Sequence, residues 1–384
     1  MQLPAPPTPQ QIEAISPTLY EAATACKAKA VWARFGNRHY VIDVPNALIG
    51  TAFHKVMEWS ASGRLPEGET ARATARQVFD EEAQRTFERA HPLLRSKYST
   101  RSQLPNYFLQ RERAVAAALH LPRPATRPPS SPAATVPQGL SPATEQTLTS
   151  SDGKLKGKID WLNTSEHEIV DYKTGIVPDG QSDQVSDRER RQLCLYAYLA
   201  RQHGADIQRG TIIRSNGKRC SVPISPHEPE TLADEARAVL LGYNHAVEAG
   251  HSFNDMAQPS KEACWFCPCI PFCTKFWETN KNGWSDFQGF GWHIQGTVSQ
   301  VSSADLQGLR VITMNLSNCS GTDIPAGTTL TIEQVPVSWI CPDAEEAPKA
   351  GDIIRIVHAR KSHAETQDVF RADKALSTVW QVPV

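Results

Sequence analysis

Residues 157–174 read GKIDWLNTSEHEIVDYKT, and this stretch decides the fold that the sequence predicts. Two strand-forming segments flank the polar segment NTSEH, a pattern typical of an antiparallel hairpin. With the turn centred on the SE dipeptide of that segment, Asp160 and Asp171 become cross-strand partners, because their positions are symmetric about it. The Cβ atoms of such partners lie roughly 5 Å apart, so two bare carboxylates would repel each other. The pattern therefore predicts a divalent cation beside this pair.

Lys173 follows Asp171 by two residues on the same strand, so both side chains emerge on one face of the sheet. Two carboxylates that bind Mg²⁺ or Mn²⁺, with an ammonium beside them, can bind a scissile phosphate, orient water and stabilise developing charge. An isolated Asp-x-Lys tripeptide on a strand is more often a surface salt bridge. The neighbouring motifs therefore decide between the two interpretations.

Four motifs occur in a fixed order along the chain. The helical segment GTAFHKVME contains His54, the motifs G-x-x-D and D-Y-K-T-G follow, and a later helix carries Gln192 and Tyr196. In this order they resemble the RecB-like branch of the PD-(D/E)XK nuclease superfamily. The resemblance implies a restriction-endonuclease-like α/β fold and metal-dependent hydrolysis of phosphodiester bonds in DNA.

The resemblance also assigns roles to residues. It implies a metal held by His54, Asp160, Asp171 and the carbonyl of Tyr172, with Asp160, Asp171 and Lys173 as the catalytic residues. Gln192 and Tyr196, one helical turn apart, would contact DNA or support the site. Two further groups are considered: Glu145 as an extra acidic ligand, and Arg188, Arg190 and Arg191 as phosphate contacts or simply a solvated helix end.

Cysteines form a second pattern, because Cys264, Cys267, Cys269 and Cys273 fall within ten residues. This spacing is typical of a metal or cluster site rather than of a disulfide scaffold. Together with Cys26 far upstream, it resembles the iron–sulfur nucleases related to AddB and to the CRISPR adaptation exonucleases. The resemblance implies a [4Fe–4S] cluster that joins both ends of the nuclease domain through Cys26, Cys264, Cys267 and Cys273.

Two alternatives remain open at the cysteines. Four thiolates can also hold zinc, although a structural zinc usually draws two close C-x-x-C pairs, which this chain lacks. Cys269 could replace one of its neighbours as a ligand. The remaining cysteines are interpreted as ordinary thiols: Cys194, Cys220, Cys319 and Cys341.

The chain has 384 residues, more than one hydrophobic core usually organises, so we expect two folded units. Residues 1–283 would form the α/β nuclease domain with its helical iron–sulfur subdomain, beginning with one continuous helix over residues 16–36, capped by Ser16 with Pro17 at its first position. Residues 122–144, dense in Pro, Ser, Ala and Thr, are predicted to be a flexible insertion. Residues 284–384 contain five β-prone stretches and are predicted to form a small all-β, OB-like barrel for single-stranded nucleic acid, with an SH3-like barrel or partial sandwich as alternatives.

Overall charge gives little information, because the formal net charge is −1. Residues 95–127, however, carry seven Lys or Arg against one acid, Glu112. Such a segment either follows phosphates or is a solvated surface stretch. The sequence has no basic leader followed by an apolar run and no apolar stretch of membrane-spanning length, so a cytoplasmic protein is expected.

The resulting hypothesis is a DNA nuclease that acts on single-stranded DNA or DNA ends in repair, recombination or antiviral defence. No helicase motif is present, so an unwinding, defence or repair partner would be a separate chain. One alternative is a catalytically silent DNA-binding clamp of a repair or defence complex. Another is an RNA-directed nuclease.

Overall fold

The computed structural model describes residues 3, 5–36, 43–120, 143–175, 184–287, 291–306, 308–340, 347–362 and 368–383. Nearly all of the predicted insertion at 122–144 lies outside the described residues, as does Cys341. Within these ranges, none of the helices has both the length and the apolar character that crossing a bilayer requires.

The helices fall mainly in the first three quarters of the chain. They are α1 (Pro17–Ala25), α2 (Lys27–Phe35), α3 (Pro45–Ala61), α4 (Glu69–Arg89), α5 (Pro92–Lys97), α6 (Tyr107–His120), α7 (Asp187–Gln202), α8 (Glu228–Glu248), α9 (Lys261–Cys264) and α10 (Thr274–Glu278). The strands are β1 (Ala143–Thr149), β2 (Lys156–Asn163), β3 (Glu168–Lys173), β4 (Arg209–Arg214), β5 (Arg219–Pro223), β6 (Trp292–Leu306), β7 (Leu309–Gly321), β8 (Ile324–Pro336), β9 (Ile353–Lys361), β10 (Val369–Ala372) and β11 (Thr378–Val382).

The first sheet has the strand order β1-β2-β3-β4-β5. Strands β2 and β3 form the predicted antiparallel hairpin, with Trp161 opposite Val170 and Asn163 opposite Glu168. Strand β4 runs parallel to β3 and is reached through α7, because parallel neighbours need a crossover connection. The hairpin register is therefore the one that the sequence predicts.

Helix α7 lies unusually close to the sheet. It begins at a capping box, in which the Ser186 side chain accepts from Glu189 N and the Glu189 side chain accepts from Ser186 N. A Cβ atom on Gly157 would lie 2.8 Å from Cε1 of Tyr196, and one on Gly210 would lie 2.9 Å from Cδ1 of Leu193. Glycine at these two strand positions thus allows the helix to lie directly against β2 and β4.

Two apolar cores cover the sheet. One contains buried residues of α1, α2, α7 and α8, and the other contains buried residues of α3, α4 and α6. The mixed helix and sheet architecture agrees with the predicted fold class. Helices α5 and α6 and strand β1 were not predicted.

The N-terminal helix differs from the prediction of one continuous helix. Helix α1, capped by the Ser16 side chain, ends at Ala25, and α2 begins at Lys27. Cys26 between them is extended, with φ −167° and ψ 118°. This break turns its thiol toward the chain before α9, where Cys26 Sγ accepts from Gln258 N at 3.4 Å.

The second sheet has the order β10-β8-β7-β6-β9-β11, and β10 also pairs with β9. The sheet closes on itself because β10 is parallel to β8 on one side and antiparallel to β9 on the other. Five strands were predicted here and the described residues contain six. The additional strand is the four-residue β10, which is also the one that closes the sheet.

The closed sheet packs against the cysteine segment. Arg355 of β9 donates from Nη1 to the carbonyl of Pro271 at 2.6 Å, and its guanidinium lies 5.0 Å from the ring centroid of Trp277. Trp380 of β11 is 1% exposed, with its ring centroid 5.2 Å from that of Phe272. Strand β11 thus contributes to the apolar core that contains residues of α1, α2, α7 and α8, as well as to the edge of the second sheet.

Candidate metal centre

Three carboxylates form a row across the first three strands. Between β1 and β2, Thr144 pairs with Trp161 and Gln146 with Ile159, so the intervening position sets Glu145 opposite Asp160. Between β2 and β3, the register that pairs Trp161 with Val170 sets Asp160 opposite Asp171. Asp160 is therefore the central carboxylate of the row.

Asp160 is fixed by two contacts. Its Oδ2 accepts a hydrogen bond from Tyr172 N at 2.9 Å, and its Oδ1 lies 3.4 Å from Nδ1 of His54 on α3. Burial opposes ionisation of both side chains. Even so, the contact between them lowers the pKa of Asp160 and raises that of His54.

His54, Glu145 and Asp160 each offer one ligand atom, and these three atoms lie within 4.8 Å of one another. The group lies at an open cavity of about 540 Å³, whose wall also includes Lys158 and Thr174. His54 and Asp160 were predicted from the sequence as metal ligands, whereas Glu145 was considered only as an extra ligand. Its position depends on β1, whose sequence ATEQTLT has weak strand character and directly follows the Pro-rich segment.

Asp171 lies deeper than Asp160 and is 3% exposed. Burial raises the pKa of Asp171 to about 6, and the nearby charge of Asp160 adds to this effect, while the Lys173 ammonium opposes it. Asp171 Oδ2 is buried and forms an ion pair with Lys173 Nζ at 2.7 Å. One buried carboxylate oxygen therefore faces the site with only an ion-pair contact.

Gln192 of α7 connects the acidic and basic groups. Its Oε1 accepts from Lys173 Nζ at 2.8 Å, and its Nε2 donates to Asp171 Oδ1 and to Tyr196 Oη, each at 3.0 Å. Gln192 therefore contacts both Asp171 and Lys173, and Tyr196 contacts Gln192.

The arginines at the start of α7 have different surroundings. Arg190 forms two hydrogen bonds to the Glu228 carboxylate, and Arg191 forms two to the Glu21 carboxylate. Both connect α7 to neighbouring helices, whereas Arg188 is exposed. The predicted phosphate contacts at Arg190 and Arg191 are therefore occupied by internal ion pairs.

The basic segment that begins at Arg95 is also largely used inside the molecule. Lys97 is buried and donates to the carbonyl of Ser377 at 2.6 Å. Arg101 donates to Gln84 and Tyr107, and Arg111 pairs with acids of α4 and α6. Its last two arginines, Arg123 and Arg127, lie outside the described residues.

The cysteine segment forms a second group of donors. The eight cysteines in the described part of the chain are free thiols, and four of the segment's candidate ligands are buried: Cys26, Cys264, Cys269 and Cys273. Burial raises the pKa of Cys264, and the charges of Cys267, Cys273 and Cys26 raise it further. Cys264 therefore lies within electrostatic range of Cys26, Cys267 and Cys273.

Cys269 belongs to this group rather than standing apart from it. A hydrogen bond from the Cys269 thiol lowers the pKa of Cys267 to about 7, despite burial. Three cations surround the thiols: the charge of Lys29 acts on Cys267, that of Lys281 on Cys264 and that of Arg355 on Cys273. Cys194, Cys220 and Cys319 are buried elsewhere, as expected for ordinary thiols.

Comparison with known proteins identifies the family. None of the curated proteins gives a significant match to the chain. The crystal structure of SSO0001 is similar at 13% identity over 59% of this chain and 95% of that chain, with a TM-score of 0.26. The family model described as the PD-(D/E)XK nuclease superfamily matches residues 14–274, the range that contains the carboxylate row, Lys173 and the cysteine segment up to Cys273. The chain belongs to the PD-(D/E)XK nuclease superfamily, a family of metal-dependent nucleases.

Proposed function

We propose that the protein hydrolyses phosphodiester bonds in DNA with Mg²⁺ or Mn²⁺. The observation that carries this proposal is the ammonium of Lys173 beside the buried Asp171, one strand away from Asp160, whose carboxylate contacts His54 of α3. The donor set fits a hard divalent cation, because it offers carboxylate oxygens and one imidazole nitrogen. The Asp171 Oδ2 atom, buried and without a well-formed hydrogen bond, agrees with this fit.

The chain's residues then have separate tasks. Asp160, Asp171, His54 and the Tyr172 carbonyl would hold the cation, which supplies Lewis acidity and lowers the pKa of a bound water. Lys173 places a positive charge where the negative charge of the attacked phosphate grows. Gln192 holds Lys173 and Asp171 in a fixed relation, so little reorganisation is needed during the reaction.

Single-stranded DNA or a DNA end is the proposed substrate. The five strands β6 to β10 close into a small barrel, and this supports an OB-like domain, a class that commonly binds single strands. A cytoplasmic location is proposed as well. The RecB-like branch and a helicase, repair or defence partner are further proposals that rest on the motifs. A role in DNA repair, recombination or antiviral defence rests on the same ground.

Matched substrates test this function against its two alternatives. Single-stranded DNA, duplex DNA with free ends and closed duplex DNA are incubated with the full chain and Mg²⁺ or Mn²⁺, beside RNA of the same sequence. We expect metal-dependent cleavage of single-stranded DNA or of DNA ends. Binding without cleavage would favour the clamp, and faster cleavage of RNA would favour an RNA-directed nuclease.

We further propose that Cys26, Cys264, Cys267 and Cys273 hold a [4Fe–4S] cluster. The support is the burial of three of these four thiols and the three surrounding cations, which would balance thiolate charge. Zinc is the competing metal, and Cys269 is the competing ligand.

Anaerobic purification with an absorption spectrum and iron and zinc analysis tests this site. Cys26→Ser should remove the iron, whereas Cys194→Ser, a buried thiol elsewhere, should not. Loss of iron in Cys269→Ser with retention in Cys273→Ser would reassign one ligand. A colourless protein with zinc and no iron would overturn the cluster.

A further inference from the structure

We propose that a cavity beside the cysteine segment, lined by Phe266, His358 and Asp43, binds one unpaired base of the DNA strand, which stacks on the Phe266 ring. This inference rests on the proposed function, because it adds a second contact to the same substrate. It concerns a part of the molecule outside the metal centre, and we refer to it as the base cavity.

The exposed ring of Phe266 is the first support. Phe266 lies between Cys264 and Cys267 and is 49% exposed. The ring of His358 on β9 lies beside it, with 6.0 Å between the ring centroids and 33° between the ring planes. An exposed aromatic ring gives a base of any identity a face on which to stack.

Backbone strain at both rings is the second support. The φ angle is 50° at Phe266 and 56° at His358, which is the left-handed region. Side chains of this size rarely adopt it. Strain of this kind collects at ligand sites, where the surrounding structure holds it in place. Two strained aromatic residues that line one cavity therefore mark it as a binding site.

The size and polarity of the base cavity suit one flat ring. Its volume is about 110 Å³, and Leu376 and Trp380 belong to its walls. A closed apolar cavity of about 150 Å³ can hold a benzene ring, so a single base is of the scale of this partly open one. Asp43, whose Oδ2 accepts from His91 N at 2.8 Å, also lines it. Its carboxylate would repel a phosphate but accept from the amino group of a base.

The base cavity continues into the cavity of the metal centre. Val44, the residue before α3, lines the base cavity, and Ala47, one helical turn further, lines the metal cavity. Val44 and His54 are about 15 Å apart along the helix axis, at about 1.5 Å per residue. At about 3.4 Å per stacked nucleotide, this distance places the bound base within about four nucleotides of the scissile phosphate.

Fluorescence anisotropy of a labelled single-stranded oligonucleotide with the full chain, in the presence of a chelator, tests the proposal without any cleavage. Phe266→Leu should lower the affinity by on the order of tenfold, because leucine keeps an apolar side chain but offers no ring for stacking. Phe266→Trp should keep the affinity or raise it. Phe108→Leu, which removes an exposed ring on α6, is the matched control and should bind as the unsubstituted chain does.

Abasic oligonucleotides locate the bound base. One nucleotide at a time is replaced by an abasic one, and a single position should lower the affinity of the unsubstituted chain by on the order of tenfold. Phe266→Leu should lose no further affinity at that position, because the ring and the base are partners. Duplex DNA of the same sequence should bind equally to both proteins, since its bases are paired.

Phe266→Gly separates a binding ring from a structural one. Glycine removes both the ring and the backbone strain, so the thermal stability should not fall although the affinity for the strand does. Iron content is measured on the same preparations, because Phe266 lies between two candidate cluster ligands. Affinity that is lost only together with iron or with stability would mean that the ring is structural, and the proposal would be wrong.

Cleavage of the same oligonucleotide by the unsubstituted chain with Mn²⁺ is measured separately. If the chain binds the strand through Phe266 but does not cleave it, the proposed function fails and the base cavity stands. If the chain cleaves the strand, and Phe266→Leu with its iron intact binds as tightly as the unsubstituted chain, only the base cavity is refuted.

Discussion

Gln192 Nε2 donates a hydrogen bond to Asp171 Oδ1 across 3.0 Å, and through it α7 holds the most deeply buried carboxylate of the candidate metal centre. The same amide accepts from Lys173, so one side chain fixes both the acid and the base of the D-Y-K motif. The helix that carries it is close enough to do so because Gly157 and Gly210 have no side chains.

Gln192→Ala should lower the rate of DNA cleavage by on the order of 10- to 100-fold, because Asp171 and Lys173 lose their common partner. The fold should persist, since Leu193 and Leu199 still pack the helix against the core. Single-turnover kinetics and circular dichroism check this outcome. Gln202→Ala, at the end of the same helix, is the control, and equal rates for the two variants would contradict the positioning role.

Asp171→Asn should stabilise the metal-free protein at pH 8. Burial raises the pKa of Asp171 to about 6, so native Asp171 binds a proton more tightly than the unfolded chain does. Protonation of Asp171 therefore stabilises the folded chain. This stabilisation is complete below the pKa of Asp171 in the unfolded chain and is lost as the pH rises through 6. The shift in the pKa of Asp171 corresponds to a difference on the order of 3 kcal/mol in the free energy of unfolding between acid and neutral pH.

Urea unfolding in the presence of a chelator, at pH 5 and pH 8, measures this effect. The advantage of Asp171→Asn over the unsubstituted chain should be largest at pH 8 and about half as large at pH 5, which lies midway between the unfolded and folded pKa values of Asp171. A variant less stable than the unsubstituted chain at pH 8 would show that ionised Asp171 is not strained by its burial.

Gly157→Ala should destabilise the protein by about 1–3 kcal/mol, because the new methyl group meets the Tyr196 ring and Leu199. Gly242→Ala provides the opposite case, since it lies within α8 with nothing within 4 Å of the added Cβ. It should stabilise the protein by about 0.5–1 kcal/mol. Denaturant unfolding of both variants measures the two changes in the free energy of unfolding. A gain in stability for Gly157→Ala would refute the close approach of α7 to the sheet.

Arg355→Met should destabilise the protein by about 1–3 kcal/mol, since it leaves the buried Pro271 carbonyl without its donor. Arg360→Met on the same strand is the control. Arg360 is 58% exposed and pairs with Asp373, so its loss should cost about 0–1 kcal/mol. The free energies of unfolding of the two variants are compared under reducing conditions. Equal losses of stability would mean that Arg355 does not connect the second sheet to the cysteine segment.

The sequence predicted the centre of the site because hairpin register follows from symmetry. Asp160 and Asp171 are equidistant from a polar turn, and the alternation of strands then placed Lys173 on the same face as Asp171. His54, Gln192 and Tyr196 were predicted only through their order along the chain. The structure brings them to the same place.

The structural features that the sequence did not predict depend on contacts between distant residues rather than on the local sequence pattern. Strand β1 and its Glu145 gain their place by pairing with β2, and β10 is four residues that close the second sheet. The residues around Cys26 favour a helix, whereas the structure places Cys26 in an extended conformation between two helices. The arginines of α7 looked available for phosphates because the sequence does not reveal Glu21 and Glu228 as their partners.

Cleavage of 5′-labelled single-stranded DNA by Lys173→Ala in the presence of Mn²⁺ tests the central claim most directly, with DNA binding and unfolding measured on the same preparation. Lys156→Ala, an exposed lysine at the start of β2, is the matched control. We expect Lys173→Ala to fold and bind DNA but no longer cleave it, while Lys156→Ala cleaves normally. Full cleavage by well-folded Lys173→Ala would contradict the assignment of this site as the catalytic centre.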